Sequence, residues 1–513
     1  MIQRIYTAVN HGLQTQLITV ESDFSPALPA VIIVGLPDKA VQESKERIRT
    51  ALKQSNFEFP LGKITINLAP ADVLKTGTNF DLPIAISILQ MTGYIKETSA
   101  NYETTLFVGE LALDGSLRGV NGILSICLWA RKNNYTRVFI PLDNQVEASL
   151  IQGIDIYVAS NLNQIVDFLN QKIVLKPVEP IDITQINNNF KSENELYDND
   201  MAYIRGQKIA KRALEIAAAG GHNILLIGSP GSGKTLLARS YPTILPKMME
   251  GEILEATEIH SVAGILDSNN IINIRPFRAP HHTSSHISLV GGGTKLRPGE
   301  VSLSHRGVLF LDEFPEFKRE SLEALRQPLE DGFVQISRAS GSVIYPAKFY
   351  LVAAANPTPS GFDTNDPDWA NKPQNKGSIA RYQSKFSGPI MDRIDLHIEV
   401  NRPKQEELQT QVLAESSYQI AKRVQRARDK QLSRFDSLNI FSNSEMNLSL
   451  IQKHCQLDIV SQKLITQAID KYKLSARSYM KILKLTRTIA DLDDSDIILI
   501  QHLAESLQYR PKF

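Results

Sequence analysis

Residues 223–240 read NILLIGSPGSGKTLLARS. The apolar quartet ILLI has the length of a short buried strand, and TLLARS opens a helix-like segment. Between them stands Gly228-x-x-x-x-Gly233-Lys234-Thr235, the complete phosphate-loop pattern, in the strand-then-helix setting it requires. Glycines let successive backbone N–H groups turn inward onto phosphate oxygens. The sequence therefore predicts a nucleotide cradle made of Gly228, Ser229, Pro230, Gly231, Ser232 and Gly233. Lys234 would neutralise the β- and γ-phosphates, and the Thr235 hydroxyl would ligate Mg²⁺. A ligand-free glycine turn ahead of a helix is the plainer alternative.

A second apolar strand, GVLFLDEFPE (307–316), ends in Asp312 and Glu313. Two acids at the C-terminal end of a core strand are costly unless they meet a cation or a reacting water. Asp312 suits the Mg²⁺ shell, and Glu313 suits the base that orients an attacking water. In LVAAANPTPSGF (351–362) a third strand stops at Asn356, whose amide could hold the lytic water or the γ-phosphate without adding charge. Together the three segments predict hydrolysis of ATP with Mg²⁺.

The remainder of the 513-residue chain is ordinary in bulk: 42% apolar, 22% charged, net charge +1. No global basic field exists, so contact with nucleic acid would have to come from a local cluster. Cys127 and Cys455 stand far apart, which excludes a disulfide framework and suits a reducing compartment. MIQRIYTAVNHG has no apolar leader core, and no apolar run approaches about 18 residues. The expectation is a cytoplasmic protein with no membrane partner.

Strand-like and helix-like patterns alternate through the first part of the chain, which predicts the α/β class. AVIIVGLP (30–37), KITINLAP (63–70), LFVGELAL (106–113) and RVFIP (137–141) read as strands. KAVQESKERIRTALKQ (39–54) and FDLPIAISILQMTG (80–93) carry helical spacing. The expected divisions are an α/β domain over 1–175, a polar linker over 176–201, a phosphate-loop α/β core over 202–402 and a helical domain over 403–513.

Long stretches flanking these motifs resemble the YifB/ComM family of magnesium-chelatase-like AAA+ ATPases. They include IVGLPDKAVQESKERIRTALKQSNFEFP (33–60), RPFRAPHHTSSHISLVGGG (275–293), SGPIMDRIDLHIEV (387–400) and LSARSYMKILKLTRTIADL (474–492). The resemblance implies a Lon-protease-like N-terminal domain, an AAA+ core with two insertions and a C-terminal helical lid. By motif, Asn356 matches the sensor-1 position, Arg393 the arginine finger that reaches a neighbouring subunit's ATP, and Arg477 sensor 2 on the lid. A finger acting in trans implies a ring, and the family suggests a homo-hexamer. RAPHHTSSHISLVGGGTKLRPG (278–299) corresponds to the helix-2 insert, and VQISRASGSVIYPAKF (334–349) to the presensor-1 hairpin. Lys295, Arg297 and Arg338 in them could meet DNA phosphates; solvated loop charges are the alternative.

Several features are expected to do less. Where the Lon-type pattern has its serine and lysine, this chain has Asn79 and Leu124, so peptidase activity is not expected. His281, His282, His286 and His305 lack a metal-binding spacing, and packing or hydrogen bonding is expected of them. The basic run KRVQRARDK (422–430) reads as a solvated helix face more readily than as a DNA contact. Many members of the family carry cysteines at the positions of Thr358 and Ser360, with a second pair downstream; hydroxyls are poor zinc ligands, so no zinc is expected. The resemblance implies a DNA motor acting in branch migration during natural transformation. A metal-chelatase-like motor and a protein remodeller are the alternatives.

Overall fold

The computed structural model describes residues 3–96, 102–182, 198–268, 270–293, 296–338, 341–358, 382, 388–403, 405–409, 412–436, 438 and 440–510. Lys295 and the segment from Pro359 to Arg381 lie outside the described residues, and with them Ser360 and the downstream part of the loop for which no zinc is expected.

Two main sheets carry the chain. In spatial order, the first runs Ala30–Val34, Lys63–Ala69, Gln14–Ser25, Gln3–His11, Thr105–Phe107, Arg137–Pro141, Asp155–Ala159. Its centre is an antiparallel ladder from Gln3↔Ser22 to His11↔Gln14, closed at Gly12, whose φ of 63° suits glycine. The helix Lys39–Gln54 forms over the expected residues, because Asp38 accepts Val41 N–H at 2.9 Å and Val41, Ile48 and Leu52 line its buried face. The expected strand 106–113 is interrupted: Thr105–Phe107 joins the sheet, while Glu110–Leu111 pairs separately with Leu117–Arg118.

The second sheet has the order Phe277–Arg278, Val308–Leu311, Tyr350–Ala355, Ile224–Ile227, Leu396–Glu399, and every neighbouring pair is parallel. Both of its faces are covered, so ILLI and VLFL are buried at every position. Helices dominate after residue 403, with Ser417–Arg434, Ile459–Tyr472 and Ala476–Leu492 the longest. The basic run lies on Ser417–Arg434 and departs from a purely solvated face. Arg428 is buried against the carbonyls of Ala218 and Ala219, and Arg423 pairs with Glu215 and Glu415. These cations stitch helices together, which leaves them poor candidates for DNA.

The two sheets are joined through the helix Glu250–Ala263. Its Glu258 accepts Ser125 O–H at 2.8 Å, and its Ser261 hydroxyl accepts Gly122 N–H at 3.0 Å and donates to the buried Glu147. Ile253 and Ala256 share a core with Leu124 and Cys127. The same helix contributes Glu252, which receives two bonds from Arg275, at 2.9 and 2.8 Å, with both side chains buried. Arg275 also donates to the carbonyls of Arg306 and Pro246. Removing one partner strands a buried charge, so Arg275→Ala should cost about 3–5 kcal/mol in urea unfolding. The Glu252→Leu, Arg275→Met double variant should lose clearly less; equal losses would contradict this account of the pair.

Candidate functional site

Because the second sheet is parallel, the loops that follow Ile227, Arg278, Leu311 and Ala355 leave from one edge. There the phosphate loop turns through Gly231 at φ 77° and Gly233 at φ 95° before the helix Lys234–Ser240. No atom lies within 4 Å of an added Cβ at either position, so backbone conformation, not crowding, demands glycine there. Lys234 is buried and folds back over its own loop, donating to Gly228 O at 2.6 Å, Ser229 O at 3.0 Å and Asn356 Oδ1 at 3.3 Å. Burial lowers its pKa from the ordinary lysine value, and Asp312 opposes that shift. Ammonium and amide thus meet at the mouth of the cradle. Asn356 is fixed from the other side, its carbonyl accepting the Tyr382 hydroxyl at 3.0 Å.

Thr235 and Asp312 are in direct contact, Oγ1 to Oδ2 at 2.9 Å. A hydroxyl and a carboxylate converging beside a phosphate loop are hard oxygen donors of the kind Mg²⁺ takes, so the residues present fit the ion. The other Asp312 oxygen accepts Glu313 N–H at 2.9 Å. Glu313 sits in the left-handed region at φ 50°, uncommon for a residue with a Cβ. Its carboxylate lies 2.8 Å from His282 Nδ1. That contact was not legible from HHTSSH, where packing or hydrogen bonding is expected but no partner outside the insert is indicated. His305, by contrast, is buried and pairs with Glu255 at 3.0 Å.

Arg393 and Arg477 are brought together, but not at this edge. Arg393 precedes the strand Leu396–Glu399, which runs parallel to Ile224–Ile227, so it lies near the strand beginnings while the phosphate loop follows their ends. A four-residue strand alone spans about 13 Å. Arg477 stands at the second position of the helix Ala476–Leu492 and joins Arg393 in contacting Glu330. With Lys481, Asp395 and Arg306 they line a cavity of about 490 Å³.

The two insertions also meet. Phe333–Arg338 and Gly341–Pro346 form an antiparallel hairpin, and Tyr345 on it donates its hydroxyl to Leu296 O at 2.8 Å. Leu296 adjoins a small ladder pairing Gly291–Gly292 with Arg297–Pro298. Arg297 and Arg338 are exposed on this joint platform. Against the first sheet, Asn79 donates to Ala8 O at 2.9 Å, and Leu124, in the helix Ile123–Lys132, is fully buried.

The profiles "Magnesium chelatase, subunit ChlI", "Subunit ChlI of Mg-chelatase" and "Magnesium chelatase, subunit ChlI C-terminal" match residues 200–408, 20–144 and 414–510. The competence protein ComM of Haemophilus influenzae is 43% identical, covering 99% of this chain and 97% of its own length. The YifB protein of Escherichia coli is 40% identical, covering 99% and 96%. A DNA replication licensing factor, Mcm6 of Anopheles gambiae, is 18% identical over 91% of this chain and 56% of its own length.

The phosphate cradle is testable by ligand-linked stability. At Mg²⁺ and ATP near 100 times Kd, the wild-type chain should gain about 2.7 kcal/mol. Lys234→Ala should lose nearly all of that gain; a full gain would contradict the assignment of Lys234.

Proposed function

The chain belongs to the YifB/ComM family of magnesium-chelatase-like AAA+ ATPases, and from that premise we propose that it is a ring-forming, cytoplasmic motor that couples ATP hydrolysis to movement along DNA, driving branch migration or unwinding during natural transformation and recombination. The observation that carries the reading is the division of the site between two edges of one sheet. Lys234, Thr235, Asp312, Glu313 and Asn356 gather at one edge, Arg393 and Arg477 at the other. Such halves complete each other only between neighbouring subunits, for which a closed homo-hexamer is the natural arrangement.

In this reading the loop amides and Lys234 bind and orient the triphosphate. Thr235 and Asp312 hold Mg²⁺, which screens the phosphate charge when bound. Glu313 takes the proton of the attacking water, and Asn356 places that water against the γ-phosphate. Arg393 and Arg477 of the adjacent subunit offset the charge that spreads over the phosphoryl oxygens, an effect worth roughly 10³–10⁵ in rate for related fingers. The joint platform bearing Arg297 and Arg338 would face DNA in the pore, and Lys295, two residues before Arg297 in the sequence, is proposed to join them.

We further propose the divisions 1–175, 176–201, 202–402 and 403–513, the first a collar without peptidase chemistry. Its buried Leu124 and hydrogen-bonded Asn79 supply no activated nucleophile. DNA as the substrate is supported by the names of the competence and replication relatives. The chelatase profiles keep a second motor reading, remodelling of a partner protein, in play. Four-way-junction DNA should raise ATP turnover severalfold and be unwound only with ATP and Mg²⁺. Turnover indifferent to every DNA form would contradict the DNA motor and favour a protein partner.

A further inference from the structure

Two guanidinium groups at the far edge of the second sheet share one acid. Glu330, in the helix Arg326–Asp331, accepts from Arg393 Nη2 through Oε2 and from Arg477 Nη2 through Oε1. Both arginines are anchored at the main chain. Arg393 donates its N–H to Ile390 O at 2.8 Å, and its carbonyl accepts from Asn223 Nδ2 at 3.1 Å. Arg477 follows Ser475, which caps its helix by accepting Ser478 N–H at 3.2 Å. Their side chains converge on Glu330, and two like charges brought so close cost Coulomb energy unless an anion sits between them. Lys481 adds no free charge there, being bound to Asp395 at 3.1 Å and Ile394 O at 3.2 Å.

Carboxylate and phosphoryl oxygens make the same demand on a guanidinium fork. Building on the ring reading above, we propose that Glu330 is an internal stand-in for the γ-phosphate of the neighbouring subunit. It aligns Arg393 and Arg477 on one point and offsets part of their charge while the chain is alone. The triphosphate of an arriving neighbour displaces it. The Arg477 half of the contact suits an exchange, because the side chains of Glu330 and Arg477 are 42% and 44% exposed, where an ion pair is weakened by solvent; Arg393, at 13%, is held more firmly. Glu330 thus acts as a positioning residue that works through the two arginines. Its place three residues before Phe333 also ties it to the hairpin of the platform.

The test measures the chain concentration at which half the protein is in rings, with a non-hydrolysable ATP analogue and Mg²⁺, by analytical ultracentrifugation. Glu330→Gln keeps the shape but removes the competing charge. It should lower that midpoint roughly three- to tenfold, the strength of the exposed Arg477 pair together with the part-buried Arg393 pair, while Glu330→Asp should stay near wild type. In an Arg393→Ala, Arg477→Ala background, Glu330→Gln should have no effect. An unchanged or raised midpoint, or a shift that persists without the arginines, overturns the proposal and leaves the ring reading standing. A wild-type chain that never assembles with nucleotide removes the ring reading, and this proposal with it.

Discussion

The parallel pairing of Ile224–Ile227 with Tyr350–Ala355 on one side and Leu396–Glu399 on the other sets where the phosphate loop, Asn356 and Arg393 fall. Strand polarity sends the residues after Ile227, Leu311 and Ala355 to one edge and the residues before Leu396 to the opposite edge. A parallel sheet needs both faces covered, which explains the unbroken apolar runs ILLI and VLFL. Polar chemistry is left to the strand tips. There Lys234, Thr235, Asp312 and Asn356 bond to one another across loops more than 70 residues apart in sequence. The same polarity carries Arg393 to the edge opposite its own phosphate loop, which is why the proposed reading gives it to a neighbouring copy's site.

Much of this edge was legible in the sequence because each piece has a local signature. A glycine pattern between strand and helix, two acids after an apolar run and an amide before proline are each readable within a dozen residues. The helix Lys39–Gln54 was legible for the same reason, with its Asp38 cap and apolar spacing. The hairpin Gln3–His11 and Gln14–Ser25 escaped notice. Its alternation is diluted by buried polar residues such as Thr7 and Ser22, the latter accepting the Ser87 hydroxyl at 2.8 Å. LFVGELAL reads as one strand, yet at Gly109 the chain leaves the sheet, and one glycine within a largely apolar stretch does not reveal such an exit.

Contacts between distant segments were the least accessible. LEDG gives no hint that Glu330 will meet arginines 63 and 147 residues away. Nor does HHTSSH reveal that His282 will lie against the Glu313 carboxylate. The basic run 422–430 misleads in the opposite direction. Charge density suggested solvent or a polyanion, whereas Arg428 is buried against helix-end carbonyls, whose orphan acceptors it satisfies.

The central claim is that one ATP site is assembled from two copies, and subunit mixing tests it most directly. A Lys234→Ala chain lacks a working cradle but retains both arginines; an Arg393→Ala chain has the reverse defect. Each alone should be nearly inactive, and mixing them in equal amounts should restore turnover through the roughly one quarter of interfaces in random rings that pair an intact cradle with an intact arginine. A mixture as inactive as its two components would contradict the account.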